Sequence, residues 1–508
     1  MLSKKVVVKN SLISLIAQFV SLLLGFITRR IFLRYLGLEI QGVNSVVGET
    51  LSFLSLAELG IGNAIIFRLY KPLVEQDEET IASLMKLYKY AYRIIAAVVF
   101  AAGLVMMLFL PIIIKDQTMD FSFIQMVYIV QLITSASSYL FAYKRSLLYA
   151  DQKQYVCKIV DLATNVIFSG LRIFVMVQYQ SYMLYLILQL LQAVVSNMII
   201  AINCNKRFSY INKKEIKTYE NVKGIFVDTK DILFGKIAGY IWSSTDSIVV
   251  SAFKGLVITG GLSNYKYVTN AAKNVLHSIT EPIAATIGNF LQIKDKEECF
   301  TMFKSYTFFR FVMLDIMATG LIICADCLVA LCFGEQYVMS KLVTVLIVGD
   351  IFIGVIYGPL GEMVSLLGYF SVDKKINFAG AAINIVSSII MVQVMGMPGV
   401  LVGTCLSQLF FWITKSILVC KKYFASKKKL LLLWKDYLLY TAIVVVQTVL
   451  IEVFISGRWK GMYTIPIFIA EVSVCVIVPG LLILIIFGKS AEFKYLLNIL
   501  NKALKKKN

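Results

Sequence analysis

The chain has 508 residues, of which 59% are hydrophobic and only 16% are charged, and its formal net charge is +20. Soluble globular proteins carry about a quarter charged residues, so this composition excludes an ordinary soluble fold. Several apolar runs reach about 18 residues or more, the length of a membrane-spanning helix. The runs are continuous rather than alternating, which argues against a membrane β-barrel. The sequence therefore predicts an all-α integral membrane protein.

About fourteen membrane-spanning helices are predicted from the apolar runs. They lie at residues 11–33, 43–68, 91–114, 121–143, 157–178, 182–204, 231–253, 260–289, 308–332, 342–367, 376–397, 399–420, 436–456 and 463–487. Lys and Arg residues are concentrated near both termini and in alternate loops. Because cytoplasmic loops carry the excess of basic residues, both termini are predicted to lie in the cytoplasm. This topology accounts for the net charge, so no nucleic-acid partner is expected.

A hexapeptide pattern recurs in the two halves of the chain. GLEIQG at 37–42 follows the first predicted span, and GLVITG at 255–260 follows the seventh. Each copy precedes a span that contains a glutamate, Glu58 in one and Glu281 in the other. Because an even number of spans separates the copies, both halves have the same orientation. This is a known transporter plan, in which two lobes are related by an axis along the membrane normal.

Four segments follow from this repeat. Residues 1–204 form an N-lobe of six spans, and 205–230 form a basic cytoplasmic segment between the lobes. Residues 231–422 form a C-lobe of six spans. The last two spans and a basic C-terminal tail occupy 423–508. We therefore expect two pseudo-symmetric six-helix lobes plus two C-terminal helices.

The eighth predicted span carries a column of polar side chains. At about 100° per residue they share an arc roughly 100° wide, and the column is about 22 Å long. Its members are Lys266, Asn270, Lys273, Asn274, His277 and Glu281. Such a face is too costly to expose to lipid, so it must meet a partner helix or a watery cavity. Interhelical hydrogen bonding suits one or two polar residues, whereas this long face favours a cavity.

Two other spans are predicted to face the same cavity. The stripe of the seventh span is Lys236, Tyr240, Ser243 and Ser247, with Asp246 to one side, and the arc of the second span is Asn44, Gly48, Ser55, Glu58 and Gly62. A carboxylate in hydrocarbon costs roughly 2.5 to 3.5 kcal/mol on the lenient insertion scale. Water and lysines around Glu58 would make its position tolerable.

Three residues have two open interpretations. Arg30 and Arg34 end the first span on the outer side, where they either line the cavity mouth or snorkel to lipid headgroups. His277, the only histidine, is either a proton relay or an ordinary hydrogen-bonded residue.

The scattered cysteines form no disulfide framework, and neither a metal-ligand cluster nor a Walker-type glycine loop is present, so no cofactor is expected.

At RRIFLRYLGLEIQGVN and again at LSLAELGIGNAIIFRLYKPL, the chain resembles the bacterial polysaccharide-repeat flippases, which act on oligosaccharide-lipids. Their superfamily also contains multidrug and toxin extrusion antiporters and lipid II flippases. The resemblance implies an extrusion-type fold with alternating access in the bacterial cytoplasmic membrane. It implies transfer of undecaprenyl-pyrophosphate-linked oligosaccharide repeats to the outer leaflet for surface polysaccharide synthesis. It also implies proton or sodium coupling, contact with membrane lipids, and partnership with polysaccharide biosynthesis proteins.

Under this hypothesis the cavity residues divide by their chemistry. Ammonium groups suit phosphate as compact point charges, and side chains that both donate and accept hydrogen bonds suit sugars. The candidate substrate-binding residues are Lys236, Tyr240, Lys266, Asn270, Lys273, Asn274, Arg30 and Arg34. The candidate ion-coupling residues are Glu58, Glu281, His277 and Asp246.

Two other functions stay open. A multidrug antiporter shares the fold, but its cationic substrates favour a cavity of carboxylates and aromatic rings. The chain does have Glu58, Asp161, Asp246 and Glu281, yet its longest polar face carries two lysines. A membrane polysaccharide polymerase or glycosyltransferase would need a site with paired carboxylates, and neither the external loops nor the Lys-rich cytoplasmic segments supply one. We therefore do not expect an enzyme.

Overall fold

The computed structural model describes residues 4–54, 61–114, 119–212, 239 and 244–497. Over these residues the chain is almost entirely helical and contains no β-strand. Eleven of the described helices are long and apolar enough to cross a membrane. The protein is therefore a multi-pass membrane protein. The chain divides into two compact units, Met1–Gly260 and Gly261–Asn508, which we call the first and second units.

Nine described α-helices, or described parts of α-helices, lie wholly within the first unit. They are α1 (Lys4–Tyr35), α2 (Gly37–Leu54), α3 (Ile61–Glu75), α4 (Glu78–Met107), α5 (Leu110–Ile113), α6 (Phe121–Ala150), α7 (Gln154–Tyr179), α8 (Tyr182–Arg207) and α9 (residues 244–254). Leu36 lies between α1 and α2, and Gly37, the first residue of α2, permits the turn because its φ of +87° lies in the left-handed region. Asp77 begins α4 by accepting a hydrogen bond from the backbone N–H of Thr80 at 3.0 Å.

The core of the first unit lies where α2, α4, α6 and α8 meet. Val47, Tyr88, Tyr128 and Leu132 are completely buried there. The Tyr128 hydroxyl donates to the carbonyl oxygen of Gly103 at 2.9 Å, so its polar tip is satisfied inside an apolar cluster. Side-chain packing of this kind holds the helices of the unit together.

The second unit contains most of α10, which begins in the first unit, and the helices that follow it. They are α10 (Leu256–Ile293), α11 (Lys296–Cys332), α12 (Lys341–Ile356), α13 (Gly358–Leu366), α14 (Phe370–Met395), α15 (Met397–Leu418), α16 (Lys427–Phe454), α17 (Ile465–Phe487) and α18 (residues 491–497). Aromatic rings from α11, α16 and α17 form much of its core. Phe311 stacks on Tyr440 with ring centroids 4.1 Å apart, and Phe487 packs edge-on against both rings.

The described helices agree with most of the predicted spans. The eleven span-length helices correspond to the first, the third to sixth and the ninth to fourteenth predictions. Residues 55–60 of the second prediction, and residues 231–238 and 240–243 of the seventh, lie outside the described residues. The eighth prediction is a single helix, α10, but it is not among the apolar ones because polar residues interrupt it. The total of fourteen spans and the four-segment organisation remain predictions.

Candidate functional site

The middle of α10 carries the predicted polar column. Lys266 is half-buried, whereas Asn270, Lys273, Asn274 and His277 are exposed. Lys266 and His277 each take part in a non-covalent interaction. Within the described part of the chain, Asn270, Lys273 and Asn274 have no hydrogen-bond or ion-pair partner. Their polar groups are therefore available to a ligand.

The exposed surface of α10 extends beyond the polar arc. Val275 is 50% exposed and Ile279 is 38% exposed, on the same two turns as Asn274 and His277. Leu276, between them in the sequence, is buried. This part of α10 therefore exposes its polar arc and these apolar residues on different faces of the helix.

The N-terminal part of α10 is anchored by a polar network. The Tyr265 hydroxyl donates to Asp326 Oδ1 at 2.8 Å and accepts from the backbone N–H of Met339 at 3.0 Å. Thr344 donates to the same carboxylate oxygen at 2.9 Å. Because Asp326 is on α11 and Thr344 is on α12, these bonds tie α10 to both helices. The polar column therefore starts next to a firmly held residue, since Lys266 follows Tyr265.

The remaining predicted site residues lie on α1, α9 and undescribed segments. Arg30 and Arg34 are exposed near the end of α1, and the Arg34 guanidinium lies 5.7 Å from the centroid of the Tyr35 ring. Asp246 is buried on α9. Glu58, Lys236 and Tyr240, and the side chain of Glu281 on α10, lie outside the described residues. The grouping of the predicted residues into one site therefore remains a hypothesis.

Two residues of the predicted arcs are engaged in packing within the first unit. Asn44 Oδ1 accepts hydrogen bonds from Gln131 and from the Tyr182 hydroxyl, both at 3.0 Å. Ser247 is completely buried and donates to Glu49 Oε1 at 2.6 Å, which connects α9 to α2. Interhelical hydrogen bonding therefore accounts for these two positions. Sequence reasoning missed Glu49, although a carboxylate inside a predicted span was a signal for it.

Asp161 forms an ion pair inside the first unit. The Arg145 guanidinium donates two hydrogen bonds to its carboxylate, at 2.8 and 2.7 Å. Ser196 donates to the same carboxylate at 2.7 Å, and Arg145 also donates to Asn197 at 2.8 Å. Bidentate pairing of this kind fixes both side chains. The network joins α6, α7 and α8, and it leaves Asp161 poorly suited to bind a diffusible cation.

A second arginine network was not anticipated from the sequence. Arg310 on α11 is buried and donates to the Tyr306 hydroxyl at 2.7 Å and to the Glu362 carboxylate. A Cβ at position 358 would lie 2.0 Å from Arg310 Nη1, so Gly358 leaves the room that the guanidinium occupies. An arginine within an apolar span was the available signal, because such a residue requires a partner.

The family model described as polysaccharide biosynthesis protein matches residues 7–285, which is more than half of the chain. No curated protein sequence matches at a significant level. A lipid II flippase MurJ in an inward closed conformation superimposes with a TM-score of 0.60 at 15% identity, and the match covers 94% of this chain and 98% of that one.

Multidrug transporters share the fold as well. The Vibrio cholerae MATE transporter VcmN, in a mutant form, matches with a TM-score of 0.59 at 12% identity over 84% of this chain and 98% of its own. An inward-facing multidrug resistance MATE family transporter of the MOP superfamily matches with a TM-score of 0.57 at 11% identity, covering 82% and 96%. At these identities the likeness shows the fold alone.

Proposed function

Because the chain belongs to the polysaccharide biosynthesis protein family, we propose that it flips undecaprenyl-pyrophosphate-linked oligosaccharide repeats across the bacterial cytoplasmic membrane. The movement runs from the inner to the outer leaflet and supplies surface polysaccharide synthesis. Both termini lie in the cytoplasm. The observation that carries the proposal is the exposed polar face of α10, where Asn270, Lys273 and Asn274 have no partner among the described residues.

The chemistry of this face matches the two polar parts of the substrate. Each hydroxyl of an oligosaccharide costs several kcal/mol, roughly, when it enters hydrocarbon without a hydrogen bond. Asn270 and Asn274 can donate to and accept from such hydroxyls. The ammonium groups of Lys266 and Lys273 provide positive charge for the pyrophosphate. Lys236, Tyr240, Arg30 and Arg34 complete the proposed binding set.

The polyprenyl chain needs no polar site. It is as apolar as the surrounding lipid tails, so it can stay in the bilayer while the head group crosses. A flippase therefore has to solvate only the glycan and its pyrophosphate.

Coupling to an ion gradient requires a group that binds the ion differently in two conformations. We assign this role to Glu58 and Glu281, with His277 and Asp246 as further candidates. The coupling ion is a proton or sodium. Alternating access of the two lobes then converts the gradient into directed movement of the lipid-linked glycan.

The experiment that tests this function uses proteoliposomes loaded with a lipid-linked oligosaccharide. A membrane-impermeant glycosidase added outside should digest the glycan only after the protein has flipped it. We expect digestion to increase with an imposed proton or sodium gradient and to stay at background with empty liposomes. If the glycan stays undigested when folded protein is present, under a proton gradient and also under a sodium gradient, the proposal is refuted.

The second candidate is a multidrug antiporter, because the chain shares the fold of MATE transporters. The same proteoliposomes distinguish the two functions when they are offered a fluorescent organic cation instead. Gradient-driven cation uptake without glycan flipping would establish the antiporter. Glycan flipping without cation uptake is the result that we expect.

A further inference from the structure

A cavity of about 320 Å³ lies in the second unit, between the ends of four helices and two connecting segments. Its walls come from α11, α12, α16 and α17 and from the segments around residues 338–340 and 459–463. The predicted topology places both segments on the outer side of the membrane. The side chains that matter for its chemistry are Asp326, Lys341, Glu452, Ser456, Trp459 and Glu471.

Two of the three carboxylates in this cavity share one ammonium group. Lys341 Nζ lies 3.5 Å from Asp326 Oδ2 and 3.3 Å from Glu452 Oε2, so one ammonium group serves both. Asp326 also accepts the hydrogen bonds from Tyr265 and Thr344 described above. The lining contains one further cation, Lys460, which is exposed on the connecting segment.

The third carboxylate, Glu471 on α17, is only half satisfied. Its side chain is buried, with 6% of the residue exposed, and it lines the cavity. Ser456 donates to Oε1 at 2.7 Å. Among the described residues, Oε2 is buried without a hydrogen-bond partner. A buried charged acceptor in this state is unfavourable, so a cationic donor that enters the cavity would gain a strong interaction there.

We propose that this cavity binds a primary ammonium group, which donates to Glu471 Oε2. A bare metal ion fits less well, because no group of three metal-ligating side chains converges anywhere among the described residues. The volume is also roughly ten times that occupied by one water molecule in the liquid, which leaves room for the molecule that carries the amine. Trp459 and Tyr463 line the cavity and supply aromatic rings, which attract cations.

Two molecules on the outer side of a membrane carry such a group. One is the ethanolamine headgroup of a phospholipid, and the other is an amino sugar within a glycan. Both present the same ammonium chemistry to Glu471. The site is separate from the polar face of α10, and it does not depend on the function proposed above.

Thermal unfolding of the purified full-length protein in detergent tests the site, because a ligand that binds only the folded state stabilises it. Glucosamine is compared with N-acetylglucosamine, which lacks the ammonium group, and phosphoethanolamine with phosphocholine. Sodium chloride keeps the ionic strength constant. We expect a rise in the midpoint temperature with glucosamine, phosphoethanolamine or both. A response to glucosamine alone indicates a glycan source, and a response to phosphoethanolamine alone indicates a lipid source.

Glu471→Gln should abolish the rise, since it keeps the shape and the Ser456 contact but removes the charge. Glu471→Asp, a second variant, should weaken the apparent affinity by about tenfold, the loss expected for one charge-assisted hydrogen bond. Glu335→Gln is the matched control, because Glu335 is an exposed residue outside the cavity lining. Equal responses to the amine and its neutral analogue, an unchanged response in both Glu471 variants, or no response of the wild type would overturn the proposal.

Discussion

Gly42 and Gly260 contact each other's helices in a reciprocal way. A Cβ on Gly42 would lie 2.0 Å from the carbonyl oxygen of Leu256, and a Cβ on Gly260 would lie 2.2 Å from that of Leu38. Each glycine ends one hexapeptide copy, and each leucine is the second residue of the other copy. The contact between α2 and the start of α10 therefore has local two-fold symmetry. Two sequence segments that repeat along the chain pack directly against one another in the folded protein.

We predict that Gly42→Ala destabilises the protein by about 1–3 kcal/mol, the usual cost of overpacking a close contact. The added methyl group would meet a backbone carbonyl, which cannot move aside as a side chain can. Gly48→Ala on the same helix is the control, because a Cβ there meets nothing within 4 Å. That change should be neutral or stabilising by up to about 1 kcal/mol. Chemical unfolding in detergent measures both, and equal stabilities would contradict the close-contact argument.

The double variant with Gly42→Ala and Gly260→Ala adds a second test. The two substitutions disturb one shared contact, so their effects should not add. We expect the double variant to be less destabilised than the sum of the two single variants. Simple additivity would show that the two glycines act independently.

Much of the fold was predictable because long apolar runs have few alternatives in a chain of this composition. The spans that became α14 to α17 are of this kind, and the family resemblance is confirmed. Breaks within a predicted span were harder to predict from the sequence. The tenth predicted span is divided into α12 and α13 at Tyr357, and the Gly358–Pro359 pair that follows was the local sign of the break.

The site was less predictable, because helical periodicity places residues on a face without identifying what that face meets. Lys273 and Asn44 both belong to polar arcs, yet Lys273 is exposed and Asn44 is bonded to Gln131 and Tyr182. Only tertiary structure separates these cases. For the same reason, helical periodicity does not predict an ion pair between residues of different spans.

The Arg145–Asp161 pair leads to a prediction about stability. Their side chains are 25% and 37% exposed, so solvent screens part of the attraction. We expect Asp161→Asn to lower the free energy of unfolding by about 1–2 kcal/mol, mainly because Arg145 loses its bidentate partner. A double-mutant cycle with Arg145→Lys isolates the pair.

The exposed pair Lys71–Glu75, with Nζ and Oε1 3.8 Å apart, is the control for this cycle. Glu75→Gln should leave stability unchanged, because exposed ion pairs contribute little. If Asp161→Asn is equally silent, Asp161 is not a structural anchor.

The docking of the short helix α18 should depend on pH. Lys304 Nζ lies 3.0 Å from Glu492 Oε1 and 3.1 Å from Asp436 Oδ2. Burial acts to raise the pKa of Glu492, but its own backbone N–H and Lys304 outweigh burial and hold the pKa below the usual value. The pKa of this carboxylate is lower in the folded state than in the unfolded state, where it is about 4.3. Its contribution to stability is therefore complete above the unfolded-state pKa and is lost as the pH falls through the folded-state pKa.

We therefore expect the C-terminal segment to become more accessible to an acid-stable protease as the pH falls below about 4.5. Glu492→Gln removes the titrating group, so this variant should show similar accessibility at pH 4 and at pH 7. A wild type that is cleaved equally at both pH values would contradict the role of Glu492.

Glu58 is predicted to couple the ion gradient to transport. A carboxylate that reaches each side of the membrane in turn can bind a proton or sodium more tightly in one conformation, which shifts the population. Glu58→Gln keeps the shape but cannot titrate, so gradient-driven flipping should fail while glycan binding survives. Glu49→Gln is the control, because Glu49 already accepts a hydrogen bond from Ser247. Unchanged gradient dependence of Glu58→Gln would return Glu58 to a structural role.

Lys273→Ala should abolish flipping while the protein still inserts and folds. Lys273 is exposed in the middle of the α10 column and has no partner among the described residues, so its removal should change stability by less than about 0.5 kcal/mol. The missing ammonium group would leave the pyrophosphate without a point charge, and Lys273→Arg should restore part of the rate. Lys254→Ala removes an equally exposed lysine of α9 and should flip normally. The proteoliposome assay measures all three variants, and normal flipping by Lys273→Ala would exclude Lys273 as the pyrophosphate contact.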